Sequence, residues 1–188
     1  MAQVLTFKSL TTETWKDFEK LLGPRGACGG CWCMTWRLPK ATYEKQKGDG
    51  NKRAIHNLVK QREQVGILAF DGDEPVGWCA VAPREKYVRL AKSRVLKPVD
   101  EQKVWSVSCF FISKSHRRKG VSIKLLNALL DHARKKKVKI LEAYPVEPKD
   151  NSMPDVFAWT GFMNSFIKAG FREVKRHSPS RPIVRYYL

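Results

Sequence analysis

Two short runs in this chain carry the residue types from which chemistry could be built. The first, Arg117-Arg118-Lys119-Gly120-Val121-Ser122, sets cations, a glycine and a hydroxyl side by side. If a helix starts at Val121, its positive end and several unbonded N–H groups point out among those cations, and Gly120 lets a ligand approach the backbone. That is chemistry for a phosphate group. The second run, Ala27 to Arg37 (ACGGCWCMTWR), spaces Cys28, Cys31 and Cys33 closely enough to suggest thiolate ligands for zinc. A closed zinc site takes about four ligands, no histidine or fourth cysteine follows at finger-like spacing, and His56 lies far along the chain. No metal site is therefore expected, and the run reads as a glycine-flexed loop packed by Trp32, Met34 and Trp36. His116, His132 and His177 stand beside no paired nucleophile and carboxylate, so a hydrolase triad has no support.

The basic run must be positioned by its neighbours. Before it, Val104, Trp105, Val107, Phe110, Phe111 and Ile112 read as a buried strand ended by Ser113. After it, Val121, Ile123, Leu125, Leu126, Leu129 and Leu130 mark one face of a helix. Upstream, the pattern predicts a strand over Val4 to Ser9, a helix capped by Thr11 or Thr12 through Leu22, and a helix over Lys52 to Gln64 after a polar connection. A hairpin follows, with Gly66 to Asp71 and Val76 to Ala82 around Gly72-Asp73-Glu74, and then an irregular basic stretch from Pro83 to Asp100. Downstream come a strand over Val138 to Tyr144, a helix from Phe157 to Ala169 stopped by Gly170, and strands over Phe171 to Arg176 and Ile183 to Leu188. The order β α α β β β α β α β β predicts an α/β (α+β) fold with a mixed sheet.

Composition narrows the class without choosing a function. The chain has 188 residues, 43% of them hydrophobic, which suits one domain with a full core. No run reaches the length of a bilayer span, and no basic leader with a cleavable apolar segment is seen at the start, so a cytoplasmic protein is expected. Five cysteines point to reduced thiols. A net charge of +18 draws polyanions of every kind, and no RNA- or DNA-binding signature selects among them.

A strand running into Arg-x-x-Gly-x-Ser at a helix start, with a later helix ending in Ala169-Gly170-Phe171, resembles the GNAT superfamily of acyl-CoA-dependent N-acyltransferases. That family's motif is Arg/Gln-x-x-Gly-x-Gly/Ala; Arg117 and Gly120 match it and Ser122 departs from it. The chain looks most similar to a bacterial branch with a Cys-Trp-Cys-Met segment (Cys31 to Met34), a Val-Gly-Trp strand (Val76 to Trp78), Ala-Trp-Thr-Gly (Ala158 to Gly161) and Arg-Pro-Ile-Val-Arg (Arg181 to Arg185). The resemblance implies a single GNAT-like domain over residues 1–188, with a mixed, mostly antiparallel sheet of about six to seven strands flanked by helices on both faces. It implies an N-acetyltransferase, with acetyl-CoA as cosubstrate and direct attack by an amine in a ternary complex. The pyrophosphate would lie on Arg117, Arg118, Lys119, Gly120, Val121 and Ser122, and pantetheine would pair with the backbone at Phe110 and Ile112. The thiol arm would pass Phe166, and Cys31, Trp32, Cys33 and Trp36 would wall the acceptor.

Amide formation needs a deprotonated amine and a reprotonated thiolate. Many relatives place a glutamate in the central strand and a tyrosine where this chain has Phe166, and both are missing here. Tyr144 and Glu142, at the end of the neighbouring strand, are the expected substitutes. The acceptor is expected to be a small-molecule or peptide amine, with no membrane partner, in a monomer or homodimer. Two rivals remain: a CoA-binding module without catalysis, and a basic nucleic-acid- or ribosome-associated protein.

Overall fold

The computed structural model describes residues 4–148, 153–154 and 157–188. A seven-stranded sheet is built from β1 (Leu5–Ser9), β2 (Gly66–Asp71), β3 (Glu74–Pro83), β4 (Trp105–Ile112), β5 (Ile140–Ala143), β6 (Arg172–Arg176) and β7 (Pro182–Tyr187). The spatial order is β1-β2-β3-β4-β5-β7-β6. Among these seven strands only β4 and β5 run parallel, and the other strand pairings are antiparallel. The expected mixed, mostly antiparallel sheet is therefore observed, and the parallel pair is bridged by a helical crossover, as such a pair requires.

That crossover is α5 (Val121–Lys135), whose Val121, Leu125, Leu126, Leu129 and Leu130 are buried against the sheet with Cys79, Val81, Val107 and Phe110. Each such leucine contributes about 1.5–3 kcal/mol of burial free energy. The opposite face is covered by α1 (Trp15–Leu22) and α3 (Asp49–Lys60), packing Phe18, Ile55 and Val59 onto Leu68, Trp78 and Ala80. Because both faces are covered, β3 is buried almost throughout, which is why its sequence lacks the alternation of a half-exposed strand. Between α1 and α3 lies the cysteine segment, with the short α2 (Lys40–Lys45) after it; α4 (Val88–Ala91) lies in the basic stretch before β4.

Among the boundaries that differ from the sequence reading are three helix starts. Helix α1 starts at Trp15, not after a Thr11 or Thr12 cap, because the Thr14 hydroxyl accepts from Thr11 N–H and donates to the Ser9 carbonyl. Helix α3 begins earlier than expected, at Asp49. The last helix, α6 (Met163–Lys168), starts six residues later than the expected Phe157. Gly161 takes φ +84° ahead of it, and the residues before Gly161 lie in a turn beside β4.

Two irregularities shape the middle of the sheet. In β4, Cys109 faces Ala80 and Val107 faces Val81, so Ser108 is an extra, bulged residue. Beside it, β5 pairs with β4 at Trp105, Ser106 and Val107 and stops at Ala143, ahead of Pro145. The strands part from there, and the edge of β4 beyond Val107 faces other partners.

Candidate active site

At the parting of β4 and β5 lies a cleft of about 710 Å³. One end is the basic loop: Arg117, Arg118, Gly120 and Ser122 line it, with Ser165 and Lys168 of α6 opposite. The middle is the edge of β4, from Phe110 to Ile112, facing Ala158, Trp159 and Gly161. The far end holds Cys28, Cys31, Cys33, Thr35, Tyr43 and Cys109. The two runs singled out in the sequence thus meet in one cavity, joined by the strand between them.

The loop end has the backbone of an anion site. Arg118 at φ +59° and Gly120 at φ +74° turn the chain so that α5 begins at Val121. The Gly120 carbonyl accepts from Ile123 and Lys124, which leaves the Val121 and Ser122 N–H groups ahead of the first helical bonds. A Cβ on Gly120 would meet nothing within 4 Å, so the space above the turn is open to a ligand. Arg117 Nε donates to the Ile112 carbonyl at 3.1 Å, fixing the loop to the strand end. Of the residues expected here, Lys119 is exposed and outside the cleft lining, and Val121 is buried and offers only its backbone.

Strand alternation aims the Phe110 and Ile112 N–H groups toward the parted edge. The Phe110 N–H is already engaged, donating to the Trp159 carbonyl at 2.6 Å. Phe166 lies in the core behind Phe110, with its ring edge-on at 5.9 Å, and does not line the cleft.

At the far end the thiols form a chain of hydrogen bonds. Trp78 Nε1 donates to Cys33 Sγ at 3.1 Å, Cys33 and Cys109 are 3.3 Å apart, and the Cys109 thiol donates to the Phe110 carbonyl at 3.8 Å. The bond to Cys109 pushes the Cys33 thiol far above its ordinary range; the bond to Cys33, with burial, does the same to Cys31. Cys31 and Cys33 are therefore neutral thiols at physiological pH. Trp32 and Trp36, expected in the same wall, lie elsewhere. The Trp32 indole turns inward against Trp15 and Phe18, into space that only a glycine at position 26 leaves open, since a Cβ there would stand 2.1 Å from Trp32 Nε1. Trp36 packs behind the cleft on Trp159. His56 stacks on Trp15 with ring centroids 4.3 Å apart, and no cluster of three or more metal-ligating side chains occurs among the described residues.

Glu142 and Tyr144, the expected proton handlers, are not among the residues lining the cleft. Both are fully buried and saturated with partners. Glu142 Oε1 accepts from Arg84 Nη1 at 2.8 Å and the Tyr144 hydroxyl at 2.7 Å, and its Oε2 accepts from Arg185 Nε at 2.8 Å. Tyr144 also bonds to Ser106 at 2.7 Å and to Arg84. Arg185 continues to Asp100 at 2.6 and 2.9 Å, and Arg84 to the Leu96 carbonyl at 2.6 Å. The pair fastens the stretch between β3 and β4 to the sheet.

That network has a pH signature. The Arg185 guanidinium holds the Asp100 carboxyl well below its ordinary value. A depressed carboxyl stabilises the fold above its unfolded pKa of about 4, and the contribution is lost as pH falls toward the folded value. Urea midpoints should therefore drop below about pH 4, and Asp100→Asn should flatten that drop. Asp100 is partly exposed, so added salt should weaken the effect.

The sequence pattern of the acetyltransferase (GNAT) family matches residues 32–162, well over half of the chain. The chain belongs to the GNAT acetyltransferase family. No functionally curated protein matches it in sequence. Among solved structures, it is similar to a GNAT-family acetyltransferase from Listeria monocytogenes, with TM-score 0.59 and 8% identity over 98% of this chain and 95% of that one. It is also similar to the PaiA N-acetyltransferase from Thermoplasma acidophilum in complex with coenzyme A, with TM-score 0.55 and 14% identity over 98% and 99% of the two chains. At such identities the likeness shows the GNAT fold. Acyl transfer from an acyl-CoA is the activity class of this family. Among the described residues no helix is long and apolar enough to cross a membrane.

Tyr43, Thr35, Lys168 and Trp159 line the GNAT cleft and were not singled out by sequence reasoning. The available signal was Tyr43 itself, the one aromatic residue in the polar run from Lys40 to Asn51.

Proposed function

We propose that this protein transfers an acetyl group from acetyl-CoA to a small-molecule or peptide amine by direct attack on the thioester in a ternary complex. The observation that carries this reading is the continuity of the cleft from the Arg117–Ser122 loop, along the edge of β4, to the thiol and phenol end. A pyrophosphate on the Val121 and Ser122 N–H groups, flanked by Arg117 and Arg118, sets the pantetheine arm along β4 with its sulfur at the Cys109 end. The acceptor then enters past Cys31 and Cys33. Reaching Phe110 N–H requires its bond to Trp159 to open, so cofactor binding is accompanied by movement of the segment around Trp159.

A CoA-holding module without turnover is the second reading, favoured by that closed Phe110–Trp159 bond and by the absence of a carboxylate in β4. One experiment separates the two. CoA should raise the melting temperature, reaching about 2.7 kcal/mol of added stability at one hundred times its Kd. Acetyl-CoA with a panel of primary amines should release free thiol in step with amide formation. Stabilisation without thiol release for any amine leaves only the module; steeply salt-dependent RNA binding, indifferent to CoA, replaces both.

A further inference from the structure

Resting on the acyl-transfer reading, we propose that Tyr43 is the general acid of the reaction, giving its phenolic proton to the CoA sulfur as the C–S bond of the thioester breaks. The position of Tyr43 in the cleft carries this. The phosphate-type loop is at the Ile112 end of β4, and about 10 Å back along the strand is Cys109, at the rise of an extended chain. Tyr43 lines the cleft at that far end, together with Cys31, Cys33 and Thr35. Its backbone is set by α2, where its N–H donates to the Pro39 carbonyl at 2.9 Å, and its side chain is largely buried.

Of the four thiols at this end Cys28 is exposed, and the other three are committed. Cys33 accepts from Trp78 and faces Cys109, Cys109 donates to the Phe110 carbonyl, and Cys31 donates to the Gly26 carbonyl at 3.6 Å. Burial lifts the Tyr43 phenol above its ordinary range, so it carries its proton at neutral pH. The phenolate left after donation is stabilised by the Thr35 hydroxyl and by the Lys47 ammonium 5.5 Å over the ring, and opposed by the Glu44 carboxylate that pairs with Lys47. The step balances internally. The amine nitrogen forms the amide bond and loses one proton, the C–S bond pair leaves on sulfur, sulfur takes the Tyr43 proton, and the proton from nitrogen restores Tyr43. A thiolate expelled beside the neutral Cys31 and Cys33 thiols is poorly solvated, which is where a positioned acid has its effect.

Tyr43→Phe should lower kcat about 100-fold while KM for acetyl-CoA stays within about twofold, the split expected for a group acting in the transition state. A fluorinated tyrosine at position 43, whose phenol is more acidic, should bring a basic limb into the kcat–pH profile near neutral pH. Adding Thr35→Val to that variant should move the limb to higher pH, because it removes a contact that lowers the Tyr43 pKa. Retained kcat in Tyr43→Phe overturns the assignment. If that variant does not fold, a fluorotyrosine enzyme without the limb overturns it instead. Absence of transfer by the unmodified protein with every amine overturns the acyl-transfer reading as well, whereas an active parent with an equally active Tyr43→Phe overturns Tyr43 alone.

Discussion

Glu142→Ala is expected to destabilise the protein by about 3–5 kcal/mol, because it removes one partner of a buried ion-pair network. The carboxylate has no exposure, and both of its oxygens are used by Arg84, Arg185 and Tyr144. Without it, two guanidinium groups and a phenol lose their shared acceptor, and Asp100 alone is left opposite Arg185. The stretch from Arg84 to Leu96, held through the same Arg84 side chain, should loosen first. Urea unfolding measures the loss, and limited proteolysis should show earlier cutting between residues 84 and 103. Glu142→Gln separates this structural role from proton transfer: stability should fall while kcat of the folded enzyme holds. A folded Glu142→Gln variant with kcat lowered 100-fold would return Glu142 to the chemistry.

Gly30→Ala should cost about 2–5 kcal/mol, the sum of a left-handed backbone and an overpacked site. Gly30 has φ +74°, and a Cβ there would stand 2.4 Å from the Gly48 backbone nitrogen. The backbone cannot give way, since the Gly30 carbonyl accepts from both Gly48 N–H at 3.0 Å and Asn51 Nδ2 at 3.1 Å. Relief must come from shifting the cysteine segment, which carries Cys31 and Cys33 into the cleft. Thermal unfolding should show the lost stability, and CoA titration should show unchanged affinity, because the phosphate end is remote from Gly30. KM for the amine should rise. An unchanged melting temperature would mean that the segment tolerates a side chain, contrary to the packing.

The loop between β4 and α5 was legible because two periodicities meet there, an apolar strand run and a helical face, with a glycine at the change. The succession of such elements carried the mixed sheet but not its order, in which β7 lies between β5 and β6. Other features depend on contacts that no local pattern records. Phe162, Phe166 and Ile167 read as the apolar positions of a helix starting at Phe157, yet the chain turns at Gly161 and the helix waits until Met163. Glu142 in β5 and Tyr144 just past its end fall on one face, as their spacing requires, but the cover over that face is the irregular stretch from Arg84 to Asp100. Whether such a stretch covers a strand end or leaves it open is decided by Arg84 and Arg185, which read as ordinary surface cations. Tyr43 reaches the cleft only because a six-residue helix folds back against the cysteine segment.

The hydrogen bond from Phe110 to Trp159 also bears on how ligands arrive. Because the Trp159 carbonyl belongs to the same chain, it competes for that N–H as an intramolecular partner, at an effective concentration in the millimolar range or above. An incoming donor must outcompete it, so observed binding rates should level off at high donor concentration, at the rate with which the segment opens. While closed, the same tether covers the edge of β4 at Phe110, and a bare edge is what recruits foreign strands. A solution of ligand-free protein is thereby guarded against pairing at the position where its substrate must dock.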